Sequence, residues 1–242
     1  MSGRRGKNLR SGDLAEELGI LLLKGIAAVA EAPRPEDIGF DGVATLLRED
    51  ESGLLYAEDS FYVQFKSASV PSVTYEGHEA EWLMNLKLPL FIGSVNSKNS
   101  TISLYTTFRL SQTSLECTYP VLSLHMHETV EIFDSKGERS LNIGPPLLTW
   151  GFEDLQSTRF RQTAFEMLKV VIRVDASNLV HRNIKYMNLL NWTTNEAVSE
   201  SGVMMAGSKA ESETAIILEA MAPHVNALMT KFIDMSDKMC VI

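Results

Sequence analysis

Apolar and polar positions alternate in two different periods along the first 110 or so residues. Leucines at helical spacing predict an N-terminal helix, and short apolar runs bounded by Gly, Pro or polar clusters predict strands. The predicted elements, in order, are a helix over 11–24, strands over 26–30, 43–47 and 61–67, a helix over 79–86, and strands over 89–95 and 101–106. Strands joined by helical crossovers are typical of an α/β or α+β fold with a mixed central sheet.

The second half of the chain has a weaker pattern. It predicts strands over 121–126 and 129–133, helices over 152–174 and 211–235, and a flexible connection over 199–212, which is rich in Ser, Gly and Ala. We therefore divide the chain into a basic tail (1–10), a domain (11–118) and a C-terminal α/β extension (119–242) that ends in a long helix. The role of the extension is open between substrate, partner and oligomer contacts.

The segment 61–67 combines an apolar strand with two polar side chains on one face. Side chains alternate along a strand, so Phe61, Val63 and Phe65 face one way while Gln64 and Lys66 face the other. Lysine is seldom buried without a partner, because removing its charge from water is costly. We expect an acid close to Lys66.

Composition restricts the class of protein. The chain has 242 residues, 2 cysteines and a formal net charge of −9, which argues against a disulfide scaffold, a thiolate metal site and non-specific coating of nucleic acid. The apolar run over 18–30 is interrupted and too short to span a bilayer. Acids precede that run, which is not the layout of a signal peptide. We expect a soluble cytoplasmic protein without membrane contact.

Charge is unevenly distributed. Residues 4–10 and 159–185 are rich in Arg and Lys, whereas the segment 13–59 is strongly acidic. Local basic patches can contact phosphates although the net charge is negative. A basic tail and a solvated helix face explain the same pattern equally well.

Several polar residues converge if the predicted strand order is right. The residues brought to one sheet edge are Glu16 or Glu17, Asp37, Asp41, Gln64 and Lys66. Converging carboxylates repel unless a hard cation neutralises them, and oxygen ligands select Mg²⁺ or Mn²⁺. A lysine beside such a cation can orient water or stabilise charge on a phosphoryl group. This chemistry is suited to hydrolysis of a phosphodiester.

The same motifs resemble a known superfamily of nucleases. They are Gly12-x-x-x-Glu16, Asp37-Ile-Gly-Phe-Asp41-Gly42 and Gln64-x-Lys66-Ser67. The pattern is similar to the PD-(D/E)XK superfamily, in the Q-x-K variant of Mrr-like and resolvase-like members, and to a bacterial nuclease-like domain family of unassigned role linked to phage defence. Trp82 and the proline-led segment 89–95 add to the resemblance, which covers about residues 10–110. It implies a restriction-endonuclease-like αβββαβ core.

The resemblance also implies roles for individual residues. Asp41, Gln64 and Glu16 would hold Mg²⁺ or Mn²⁺, and Lys66 would position the attacking water. Glu17 is the alternative to Glu16, because it lies nearer the apolar stripe of the helix. Gln64 stands where most members have an acid, so one negative charge is missing, and Asp37 either supplies it or caps a turn.

A second metal site is conceivable from His125-x-His127, which would place both imidazoles on one strand face. A solvated strand face explains the pair more simply.

Three functions are consistent with the sequence. The first is a metal-dependent nuclease that cleaves DNA in bacterial anti-phage defence or DNA processing. The second is a catalytically silent module of the same fold that binds nucleic acid or a partner protein. The third is a subunit of a multi-protein defence assembly, or of a homo-oligomer, that docks through the C-terminal region.

Overall fold

The computed structural model describes residues 7–32, 39–50, 52–111, 120–126, 138–182, 186–205 and 220–225. The helices are α1 (Lys7–Leu23), α2 (His78–Met84) and α3 (Thr158–His181), with a 3-10 turn at Asp154–Gln156 and helical residues at 220–225. The strands are β1 (Ala27–Glu31), β2 (Gly42–Glu49), β3 (Leu55–Ser67), β4 (Ser72–Glu76), β5 (Leu90–Asn96), β6 (Thr101–Thr106), β7 (Val121–His125), β8 (Glu138–Asn142), β9 (Leu148–Gly151), β10 (Tyr186–Thr193) and β11 (Ala197–Met205). The predicted mixed α/β fold is confirmed at this level.

The described strands form three sheets. A six-stranded sheet has the order β1-β2-β3-β5-β6-β9, a three-stranded sheet has the order β4-β7-β8, and β10 pairs with β11. Within the large sheet, β3 and β5 are parallel and every other neighbouring pair is antiparallel. The chain between β3 and β5 leaves this sheet as β4, continues as α2 and then returns.

Each face of the large sheet is covered by its own apolar core. Phe61, Val63 and Phe65 pack in one cluster with α1 and α3. Ile92, on the other face, packs in a second cluster with α2, β4 and β7. Because Ile92 lies beside Gln64 in the parallel register of β3 and β5, Gln64 shares this second face.

Helix α1 approaches the sheet closely at Gly19. A Cβ atom built there would lie 2.8 Å from Cε1 of Phe65, well inside van der Waals contact. The absence of a side chain at Gly19 therefore allows α1 to pack close to β3. The same contact puts α1 on the Phe65 face of this strand.

Most predicted elements of the first 110 residues are present, with three differences. The strand predicted over 61–67 begins earlier, at Leu55. β4 was not predicted, although Val73 and Tyr75 are buried and Thr74 is exposed, as in a strand with one covered face. Residues 7–10, which we assigned to the basic tail, belong to α1.

The second half completes the same sheets. β9 pairs with β6, and β7 pairs with β4, so strands that follow residue 119 adjoin strands that precede it. The helix predicted over 152–174 begins only at Thr158, because the side chain of Ser157 accepts a hydrogen bond from the backbone N–H of Phe160 and caps it.

The prediction of a flexible connection over 199–212 was wrong for 199–205, which belong to β11. Residues 206–212 lie outside the described ranges, as do the strand predicted over 129–133 and most of the helix predicted over 211–235. Nowhere in the described ranges is a helix both long and apolar enough to cross a membrane.

Candidate functional site

Gln64 and Lys66 lie on the sheet face opposite the phenylalanines of β3, as their alternation predicts. Gln64 is 7% exposed, and Lys66 is half-buried near the end of the strand. The neighbour of Gln64 on β5 is Ile92, and the buried side chains of the covering strand β4 are those of Val73 and Tyr75. The two polar side chains therefore emerge from an otherwise apolar surface.

Asp41 is held against β3 by two hydrogen bonds. Its backbone N–H donates to the carbonyl of Val63 at 2.8 Å. Its carboxylate oxygen Oδ2 accepts a hydrogen bond from the backbone N–H of Phe65 at 2.5 Å. These bonds flank Gln64 in the chain, so the structure brings Asp41 and Gln64 together where β2 begins.

Tyr75, which the sequence did not indicate, fixes the amide of Gln64. Its hydroxyl donates to Oε1 of Gln64 at 2.7 Å. Burial raises the pKa of the Tyr75 phenol, and the negative charges of Asp41 and Glu79 raise it further, so the phenol stays protonated and remains a donor. The amide oxygen of Gln64 keeps a second lone pair for another partner.

A cavity of about 450 Å³ opens beside these residues. The polar and aromatic residues that line it are Gln64 and Lys66 from β3, Thr74 and Tyr75 from β4, and His78, Glu79 and Trp82 from α2. Gly39, two residues before Asp41, also lines it. Its φ of 85° favours glycine, and a Cβ atom built there would lie 2.9 Å from the indole of Trp82, so a side chain would clash. The cavity thus lies between the large sheet and the α2 segment.

An aromatic stack borders the cavity. The rings of Phe40 and Tyr62 are stacked with centroids 4.4 Å apart, and the rings of Phe40 and Trp82 are stacked with centroids 6.3 Å apart. All three residues are half-buried. They join the Asp41 segment to β3 and α2 through apolar contact.

The predicted helix acids lie on a different element and another face. Glu16 is half-buried and Glu17 is exposed on α1, and neither lines the cavity. Asp37 lies outside the described residues. Asp41 does not line the cavity either, but its hydrogen bond from the backbone N–H of Phe65 places it beside Gln64 and Lys66 on β3, whereas α1 packs against the opposite face of β3.

The histidine pair is only partly described. His125 ends β7 opposite Ser72 of β4 and is half-buried, whereas His127 lies outside the described residues. In the described part of the chain, no group of three or more His, Cys, Asp or Glu side chains is arranged to hold a metal ion.

The oxygen donors beside the cavity fit a hard cation. Asp41 offers a carboxylate and Gln64 a carbonyl oxygen, and Mg²⁺ in proteins is commonly bound through one or two carboxylates with water in its other positions. The protonated phenol of Tyr75 serves as a donor to Gln64 and not as a ligand. Asp41 and Gln64 are the residues that can hold Mg²⁺ or Mn²⁺ here.

The sequence reasoning did not single out Tyr75 and Glu79, which line the cavity. The alternation in Ser72–Glu76 was the available signal for β4. Comparison with protein-family models, with curated proteins and with solved structures found no match.

Proposed function

We propose that this protein is a metal-dependent nuclease that hydrolyses DNA phosphodiester bonds. One observation carries the proposal: the carboxylate of Asp41 is bonded to the backbone beside Gln64, and Gln64 and Lys66 open into one cavity. A carboxylate, a carbonyl oxygen and the ammonium group of a lysine in one place match the needs of phosphodiester hydrolysis.

The order of elements supports the same proposal. Helix α1 is followed by the antiparallel strands β1, β2 and β3, and α2 leads to β5, which is parallel to β3. This order agrees with the restriction-endonuclease-like αβββαβ core that the resemblance to PD-(D/E)XK nucleases implies. A role in bacterial anti-phage defence or DNA processing rests on that resemblance alone.

In this mechanism Asp41 and Gln64 would hold the divalent cation. When bound, the cation would supply positive charge at the scissile phosphate and lower the pKa of a water molecule. Lys66 stabilises the negative charge that develops on the phosphoryl oxygens and orients the attacking water. Tyr75 keeps the Gln64 carbonyl oriented, and the bond to Phe65 N–H fixes the Asp41 carboxylate.

The test is a cleavage panel with plasmid and oligonucleotide DNA in Mg²⁺, Mn²⁺ or chelator. Wild-type protein should cleave only with the metal, and Lys66→Ala and Asp41→Asn should each lose about 100-fold or more of the rate. Lys98→Ala is a matched control, because Lys98 is exposed in the turn between β5 and β6. Equal cleavage by wild type and Lys66→Ala would refute the proposal.

A binding module without activity is the second candidate. The observation that favours it is Gln64 itself, a neutral residue whose oxygen already accepts a hydrogen bond from Tyr75. Such a module would bind labelled DNA or a partner with equal affinity in Mg²⁺ and in chelator, and would cleave nothing in either.

A further inference from the structure

A second cavity, of about 380 Å³, is lined by β8, by β10 and β11, and by the segment that follows β6. No described residue lines both this cavity and the one beside Gln64. Its volume is within the range of pockets that bind small organic ligands. The polar residues that line it are Arg109, Arg139, Asn142, Asn191 and Ser201. We call it the arginine cavity.

The charged side chains of the arginine cavity are both cationic. Arg109 follows β6, Arg139 lies on β8, and both are half-buried. None of the described residues that line the cavity is acidic. The whole chain has a formal net charge of −9, so two arginines in one cavity form a local positive region on an acidic protein. Such a cavity is suited to an anion.

Arg109 is held in place by contacts that use only part of its guanidinium group. Its Nη1 donates to the backbone carbonyl of Asn142 at 2.7 Å. Its Cζ lies over the ring of Trp192, 5.7 Å from the centroid, and the indole N–H donates to the carbonyl of Pro145 at 3.0 Å. A guanidinium group has more N–H donors than these contacts use, so Arg109 is oriented and can still donate to a ligand.

A β-bulge brings Ser201 to the same cavity. Leu189 pairs with Gly202. The next residue of β10 pairs with Glu200, so Ser201 is the extra residue of β11. Gly202 has a φ of 143°, which favours glycine. Bulges often redirect a side chain beside a functional site, and here the exposed Ser201 adds a hydroxyl donor to the cavity wall.

The β10–β11 hairpin is anchored to the rest of the fold. Asn178 of α3 donates to the carbonyl of Asn188 at 3.1 Å and accepts from its N–H at 2.8 Å. At the turn, Asn195 forms the same pair of bonds with the backbone of Thr149 on β9, each 2.7 Å long. The hairpin wall of the cavity is therefore formed before any ligand binds, as is usual for small-molecule sites.

We propose that the arginine cavity binds the phosphate monoester group of a nucleotide. The two arginines carry two positive charges, and a phosphate monoester carries about −1.5 to −2 at pH 7, more than a carboxylate or a phosphodiester. Guanidinium groups from two elements and the hydroxyl of Ser201 can donate to different oxygens of a tetrahedral group. Phe108, Leu141 and Leu189 provide apolar walls for the base. The proposal is independent of the nuclease function.

The test is isothermal titration calorimetry of the full-length protein with AMP, in chelator so that cleavage does not interfere. AMP should bind about tenfold or more tightly than adenosine, which lacks the phosphate, and than 3′,5′-cyclic AMP, whose phosphate is a diester. An oligonucleotide with a 5′-phosphate or a 5′-hydroxyl distinguishes two sources of the group. Preference for the phosphorylated form shows that a DNA end supplies it, and equal weak binding of both forms shows that a free nucleotide does.

Ser201 gives a matched pair of variants, because it is exposed and its replacement leaves the core intact. Ser201→Asp places a carboxylate in the cavity and should weaken AMP binding about tenfold or more by charge repulsion. Ser201→Asn is similar in size and neutral, and should bind nearly as wild type does.

Arg139→Gln should also weaken AMP binding about tenfold or more, because a charge-assisted hydrogen bond is lost. Arg159→Gln is its control, because Arg159 is exposed on α3 and does not line the cavity.

Two results would overturn the proposal. Equal binding of AMP and adenosine, or no binding of AMP at all, would show that the cavity does not recognise a phosphate. Unchanged AMP binding in both Ser201→Asp and Arg139→Gln would show that the nucleotide binds elsewhere. Neither result would affect the proposed nuclease function, which depends on other residues.

Discussion

The hydroxyl of Tyr75 donates a hydrogen bond to the side-chain oxygen of Gln64 and so links the three-stranded sheet to the six-stranded sheet. Both residues are buried, and neither carries a charge in this arrangement. A neutral amide avoids the desolvation cost that an ionised acid would meet at this depth. Folding stability therefore explains why position 64 carries an amide and not an ionised acid.

The losses of unfolding free energy caused by removing each partner of this hydrogen bond should not be additive. Tyr75→Phe leaves a buried carbonyl oxygen without its donor, and we expect the free energy of unfolding to fall by about 1–3 kcal/mol. The double variant Tyr75→Phe/Gln64→Leu should be less destabilised than the sum of its single variants. Urea unfolding of all three variants measures this, and strict additivity would contradict it.

Gln64→Glu should increase the response to metal. The new carboxylate would lie beside that of Asp41, so the metal-free protein should unfold at a lower temperature than wild type. Mg²⁺ or Mn²⁺ should raise its Tm by more than it raises that of wild type, because the added charge is neutralised on binding. Gln162→Glu, an exposed change on α3, is the control. An equal metal-induced shift in all three proteins would count against a cation at this cavity.

Two glycines of α1 should respond oppositely to alanine. Gly19→Ala places a methyl group against the ring of Phe65, and overpacking of this kind costs about 1–3 kcal/mol. Gly12 has nothing within 4 Å of an added Cβ, so Gly12→Ala should stabilise the helix by up to about 1 kcal/mol. Thermal unfolding gives both values. Destabilisation by both variants to the same extent would show that the Phe65 contact is not the cause.

Asp175 should make stability depend on pH. It is 2% exposed on α3, and burial raises its pKa from 3.8 to about 7 although the charge of Arg182 opposes the rise. Between these two values the native protein keeps a proton that the unfolded chain loses. The contribution of Asp175 to the free energy of unfolding should therefore fall as the pH rises through this window, by at most about 1.4 kcal/mol per pH unit.

Asp175→Asn removes this titration. The difference in unfolding free energy between the variant and wild type should grow from pH 4 to pH 7 in favour of the variant. Glu196→Gln, an exposed change in the turn between β10 and β11, should follow wild type throughout. A pH-independent difference between Asp175→Asn and wild type would refute the burial argument.

The sequence predicted those features that depend on neighbours in the chain. Strict alternation in 61–67 predicted the two faces of β3, and the strand predicted over 43–47 placed Asp41 at its start, one residue before β2 begins at Gly42. Both are consequences of local geometry, which a period of two along the strand encodes directly.

Features that depend on distant partners were not visible in the sequence. β4 is short, and its pairing with β7 matches Tyr75 with Leu122, which is far along the chain. β11 is polar enough to resemble a linker, and its backbone pairing with β10 makes it a strand. Likewise the face of the sheet on which α1 packs follows from the contact of the helix at Gly19. The spacing of Glu16 from Gly12 in the sequence gives no information about that contact.

Because the chain passes through β4 between β3 and β5, the cavity lies between the six-stranded sheet and the three-stranded sheet. One continuous stretch, from Gln64 to Trp82, supplies most of its walls while it passes from the large sheet to the smaller one. A ligand that bridges these walls opposes separation of the sheets. Occupancy of the cavity should then slow amide hydrogen exchange in β7, a strand that pairs with β4 but does not line the cavity.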